Sequence, residues 1–187
     1  MRIILRTILT LVIMFMMFSI SQATPLSEFC SEVPKWPRGQ LVPNHSEYLD
    51  ADVGTPVDAN FSKSKYLKRG WVIIDARGQK DRAVGKIPKT VMMTSDYTNP
   101  ALNEITEENF TKKITTYLNK YEKINHSPSL EELRNDYKYI IFCNGKKCHR
   151  SSYGACQLRM NIGIPEENLY IMLGGYPEWD EAGYPTR

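Results

Sequence analysis

The sequence predicts an α/β fold, a parallel sheet flanked by helices on both faces, and two observations carry that expectation. The first is a set of short runs rich in β-branched and aromatic residues, chiefly Trp71-Val72-Ile73-Ile74-Asp75 and Tyr137 to Phe142, with little of the polar alternation that a half-solvated strand shows. The second is that stretches of helical spacing lie between these runs, and strands alternating with helices return by crossovers to one parallel sheet.

The elements follow in chain order. Positions 1–23 hold no acid, the two arginines Arg2 and Arg6, and an apolar stretch from Ile8 to Ile20; Ser21-Gln22-Ala23 then offers small residues at both recognition positions. This is the pattern of a secretory signal, expected to be cleaved after Ala23, and the apolar run is short of the about 20 residues a bilayer span needs. The protein is therefore expected to be exported, to the periplasm if the source is Gram-negative and otherwise to the outside, with no stable membrane anchor after cleavage. Removing 23 of 187 residues leaves 164, enough for one domain, and takes the formal charge from +3 to +1. So even a balance excludes a disordered tail protein and gives no argument for nucleic acid as a partner.

Residues 24–56 carry Pro25, Pro34, Pro37, Pro43 and Pro56 without a sustained apolar period, and are expected to form an irregular N-terminal arm ahead of the domain at 57–187. A short helix begins near Val57, capped by Thr55 or Asp58. Trp71 to Asp75, bounded by Gly70 and Gly78, is the first strand, and Thr90 to Met93 a weaker second. A helical insert is expected near 101–136: Phe110, Ile114, Tyr117, Leu118 and Tyr121 make one stripe, and Ser129 with Glu132 forms a capping box for a further short helix. Tyr137 to Phe142 is the next strand, Ser151 to Asn161 a helix carrying Ala155, Leu158 and Met160, and Asn168 to Met172 the last strand. Gly174-Gly175 breaks it, and Pro177 to Ala182 suits a terminal helical turn ended by Gly183.

The chemistry concentrates between a strand and a helix, in Cys143-Asn144-Gly145-Lys146-Lys147-Cys148-His149-Arg150-Ser151. A parallel strand ends at the sheet edge where ligands bind, and the following helix presents unpaired backbone N–H groups there. Sulfur at that point meets amide donors and the positive end of a helix dipole, so Cys143 is expected to have a depressed pKa and to act as a nucleophile. Lys146, Lys147, His149 and Arg150 add positive charge for an anionic substrate or sulfur adduct, and Gly145 permits a left-handed turn.

On these residues the chain resembles the rhodanese family of sulfurtransferases from about Val57 to Arg187. The resemblance rests on Val72-Ile73-Ile74-Asp75-Ala76-Arg77 and on Gly85-Lys86-Ile87-Pro88, where the family usually has Gly-His-Ile-Pro. It continues through Phe142-Cys143, Arg150-Ser151, Gly154-Ala155 and Leu158 to the closing Gly174-Gly175, Glu178-Trp179 and Ala182-Gly183-Tyr184-Pro185. It implies a rhodanese-like fold and a sulfur shuttle: Cys143 takes a sulfane sulfur from a small donor such as thiosulfate and passes it to a thiol, cyanide or a protein acceptor. Cys143 and Arg150 are then the catalytic pair, with Asn144, Gly145, Lys146, Lys147, Cys148, His149 and Ser151 binding substrate, and no metal or organic cofactor is required. One departure stands out. The family's usual loop has four residues between Cys and Arg, whereas six separate Cys143 from Arg150, and the Cys-Asn-Gly, two residues, Cys arrangement is similar to that of exported rhodanese-like proteins.

Other readings stay open. Cys143 and Cys148 lie close enough for a dithiol and disulfide couple, in which Cys148 could also resolve a persulfide. A cysteine-dependent phosphatase uses a loop with five residues between Cys and Arg, and no acid stands beside this loop in sequence to protonate a leaving alkoxide. Cys143, Cys148 and His149 are soft ligands for copper(I) or zinc, at a spacing that is no recognised zinc motif. Cys156 is expected to pack in the core, Cys30 to be free or paired, Asp75 and Arg77 to form a structural ion pair or cap, Trp179 to plug the C-terminal turn, and His45 and His126 to be solvated.

Overall fold

A computed structural model describes residues 26–33 and 53–187. The expected signal at 1–23, most of the arm and His45 lie outside the described residues. The helices are α1 (Leu26–Glu32), α2 (Ala59–Lys65), α3 (Gln79–Val84), α4 (Glu107–Tyr121), α5 (Leu130–Asn135), α6 (Arg150–Gln157) and α7 (Gly175–Glu181). The strands are β1 (Thr55–Val57), β2 (Trp71–Asp75), β3 (Val91–Met92), β4 (Lys138–Phe142) and β5 (Leu169–Met172). They form one parallel sheet in the order β1-β5-β4-β2-β3.

Period-two alternation divides the sheet between two cores. Val72 and Ile74 of β2, Tyr139 and Ile141 of β4, and Leu169 and Ile171 of β5 face a core closed by Phe110, Ile114 and Leu118 of α4, Leu133 of α5 and Leu158 beyond α6. Ile73, Ile140, Phe142 and Met172 face the other, which holds Ala59 of α2 and Trp179 of α7. Both faces are thus covered, which is why the central strands are mostly apolar. Asp58 caps α2 by accepting from the Phe61 amide at 2.7 Å, and Ser129 and Glu132 form the expected capping box on α5.

The strand ends are level. Val57 pairs with Met172, Met172 with Phe142, Phe142 with Asp75, and Asp75 with Met92, so the segments after each strand emerge at one edge. Three features depart from the sequence expectation. The arm is not irregular where it is described: Phe29 of α1 and Val33 just after it are buried in the first core, and β1 adds an edge strand on β5. Cys156 is not simple packing, because it is disulfide-bonded to Cys30, which ties α1 to α6 with Cα atoms 5.6 Å apart. The helix expected to run to Asn161 is α only to Gln157; a π-helical turn over Leu158–Ile162 follows, with Leu158 and Ile162 buried and Met160 exposed. Trp179 is fully buried and donates its indole N–H to the Pro185 carbonyl at 2.9 Å.

Candidate active site

Cys143 follows β4 directly, and the loop after it folds back onto the turn after β5. The Tyr176 amide donates to the Cys143 carbonyl at 2.8 Å, and the Cys148 amide donates to the Gly145 carbonyl at 2.9 Å. Gly175, at φ +62°, allows the approach: a Cβ there would lie 2.2 Å from the Cys143 oxygen and 2.4 Å from the Gly145 nitrogen. Beneath the edge, Arg77 makes a buried bidentate pair with Asp75, at 2.9 and 2.8 Å, and stacks against Tyr176 and Phe142. The pair is structural, as its position predicts.

The loop brings both of its thiols together. Cys143 is buried; its thiol donates to the Cys148 carbonyl at 2.9 Å and its sulfur receives the Ser151 hydroxyl at 3.6 Å. Burial pushes the Cys143 thiol well up, as does its contact with Cys148, and the donors from Ser151 do not offset this. The depressed thiol is Cys148. The hydrogen bond from Cys143 lowers it to about 6 against the burial that raises it, aided by the Asn144 and Arg150 amides and the Arg150 charge. The expectation of a depressed Cys143 is therefore corrected. The Asn144 and Arg150 amides favour the anion on Cys148, whereas Cys143 has only the Ser151 amide and hydroxyl, so the pair holds its anion on Cys148.

Arg150 begins α6 and lies between two carboxylates, Asp81 at 2.8 Å and Asp96 at 3.1 Å. It is thus not an open anion anchor, as the sequence suggested, but a cation already paired. Burial favours the neutral acid at Asp96, yet hydrogen bonds from Thr98 and the contact with Arg150 outweigh it and hold the carboxyl below its ordinary value. Lys146, Lys147 and Asn144 are exposed, Gly145 is buried with φ +101°, and Ser151 is buried against Cys143. His149 departs from the expected charged rim: it is buried, with its ring stacked on Tyr97 at 6.3 Å. A cleft of about 200 Å³ opens at Cys148, bounded by Asp96, Tyr97, Lys147 and Arg150, and a wider one of about 670 Å³ lies across Asp96 and Arg150 toward Asp81 and Leu102.

This arrangement, a cysteine at the end of a central parallel strand cradled by the next helix, is the one to compare with known domains. Residues 58–182 match the rhodanese-like domain family. The chain belongs to that family. Among solved structures, this rhodanese-like chain is similar to the BH2092 protein from Bacillus halodurans, at 14% identity and TM-score 0.50 over 76% of this chain and 82% of that one. It is also similar to the single domain sulfurtransferase RDL2 of Saccharomyces cerevisiae, at 16% identity and TM-score 0.45 over 71% and 96%. A third is the thiosulfate sulfurtransferase of Pseudomonas aeruginosa, at 16% identity and TM-score 0.42 over 72% of this chain and 20% of that one. No curated protein matches the chain at a significant level.

Asp81 and Asp96 were not foreseen in the rhodanese-like sequence, and they correct the statement that no acid stands beside the loop. A signal existed for both. Each follows the C-terminal end of a strand, Asp81 after β2 and Asp96 after β3, where side chains converge on the ligand edge of a parallel sheet.

Proposed function

We propose that this protein is an exported sulfurtransferase, which carries a sulfane sulfur from a small anionic donor such as thiosulfate to a thiol, cyanide or a protein acceptor as a persulfide on Cys143. The observation that carries this reading is the position of Cys143: it directly follows β4 at the level edge of the sheet, where the Ser151 amide and hydroxyl both donate to its sulfur. A fixed set of N–H donors stabilises the thiolate and the persulfide anion better than water would, because it needs no reorganisation as charge develops. Cys148 accepts the Cys143 proton as the attack begins, which supplies the thiolate that burial alone disfavours. Export agrees with the disulfide between Cys30 and Cys156, a bond kept in oxidising compartments, and with the signal pattern of residues 1–23. In this reading the exported chain keeps the arm at 24–56 and the domain at 57–187.

Phosphate ester hydrolysis is less well supported, although acids do stand beside the loop. A leaving alkoxide needs a protonated donor, whereas Asp81 and Asp96 are both paired with Arg150, and Asp96 is held ionised. The reduced protein mixed with thiosulfate should release sulfite, and Cys143→Ser should release none while remaining folded. An aryl phosphate turned over faster than sulfite appears would overturn the reading.

A further inference from the structure

We infer that Cys148 is a second catalytic thiol, which resolves the Cys143 persulfide by attacking the Cys143 sulfur, releasing hydrosulfide and leaving a Cys143–Cys148 disulfide in the loop. The inference rests on the proposed persulfide at Cys143 and adds the fate of its sulfur.

Three features of the loop point the same way. The Cys143 thiol donates to the Cys148 carbonyl at 2.9 Å, so the two residues touch across the loop and the inner sulfur, the one that attack must reach for a disulfide to form, lies against Cys148. The chain between them already turns back, through the Cys148 amide on the Gly145 carbonyl and the left-handed Gly145, so the two sulfurs meet without unfolding the loop. Cys148 is also the thiol that faces the cleft beside Lys147 and Arg150, where hydrosulfide can leave and a reductant can enter. Its thiolate is held by the Asn144 and Arg150 amides, as a nucleophile at neutral pH must be. A site that only passed sulfur outward would gain nothing from a thiolate against its carrier sulfur, since that thiolate intercepts the persulfide.

The steps balance. In uptake, the S–S bond of thiosulfate breaks, its sulfane sulfur bonds to Cys143, and sulfite leaves with the electron pair; the Cys143 proton stays within the pair. In resolution, Cys148 sulfur bonds to Cys143 sulfur, the bond from Cys143 to the outer sulfur breaks, and the outer sulfur takes the electron pair and the Cys148 proton and departs as hydrosulfide. Both cysteines are oxidised to the disulfide and the sulfane sulfur is reduced. A dithiol reductant, small or protein-borne, then reopens the loop, taking up the oxidation as its own disulfide.

The test is a single turnover without oxygen, on protein reduced with dithiothreitol, desalted and given thiosulfate, with sulfite, sulfide and the masses of the loop peptides measured. Wild type should release about one equivalent each of sulfite and sulfide and end with Cys143 linked to Cys148. Cys148→Ser and Cys148→Ala, which lose the proton acceptor of the uptake step, should release sulfite more slowly than wild type and, at completion, no sulfide, with the extra sulfur kept on Cys143. Wild type that yields sulfite but no sulfide, with the sulfur retained on Cys143, overturns the resolving role and leaves the sulfurtransferase reading intact. A Cys148 variant that still releases sulfide at the wild-type rate does the same. Absence of sulfite from wild type overturns the sulfurtransferase reading, and the resolving role with it.

Discussion

Burial and hydrogen bonding act in opposite directions on the two loop cysteines, and which of them carries the anion follows from that contest. Cys143 was legible in the sequence as the sulfur at a strand end, because the strand and the following helix are both marked by their residues. The ionisation of the pair was not legible, since it depends on where the Cys148 carbonyl and the Asn144 and Arg150 amides point. The same holds for Arg150, whose partners Asp81 and Asp96 are far from it in sequence and meet it only at the sheet edge. A pH dependence follows. Cys148 is a thiolate above about 6 and protonated below it, so its alkylation by iodoacetamide should be on a plateau at neutral pH and fall about tenfold per unit below that midpoint. A midpoint near that of an ordinary thiol would contradict the assignment.

At the scale of elements, the strands and helices with strong periodicity were readable, as was the edge strand β3, and the other edge strand was not. The stripe of Phe110, Ile114, Tyr117 and Leu118 is the buried face of α4, and the Ser129 capping box is present. β1 escaped notice because Thr55-Pro56-Val57 carries no apolar run, and a proline is tolerated in it because it lies at the edge of the sheet. The turn from β5 into α7 matters most for the site, since Gly175 packs its backbone on the cysteine loop. Gly175→Ala combines an unfavourable positive φ with contact against the Cys143 oxygen. It should cost at least about 2 kcal/mol in urea unfolding and most of the sulfite release. A variant as stable and active as wild type would show that the loop does not depend on this contact.

For the whole molecule, the parallel sheet decides where the chemistry lies and the disulfide decides how the N-terminal segment is held. The strand order places β4 at the centre, between β5 and β2, so the cysteine loop is flanked by the segments following both. The pairing of Cys30 with Cys156 could not be read from sequence, because α1 reaches α6 only in the folded chain. The bond closes a separation of 126 residues, a span for which loss of a disulfide typically costs about 2–5 kcal/mol. Cys30→Ser should therefore lower Tm by about 5–15 °C in a calorimetric scan while leaving single-turnover sulfite release in place. An unchanged Tm would mean that α1 contributes little to the stability of the domain.

The central claim is that Cys143 takes up sulfane sulfur, and the mass of its peptide tests this most directly. In the Cys148→Ser protein, which lacks the resolving thiol and takes up sulfur more slowly for want of the proton acceptor, the Cys143 peptide should gain one sulfur after prolonged incubation with thiosulfate and lose it again on addition of cyanide. A peptide of unchanged mass, in a protein that is folded and reduced, would contradict the account.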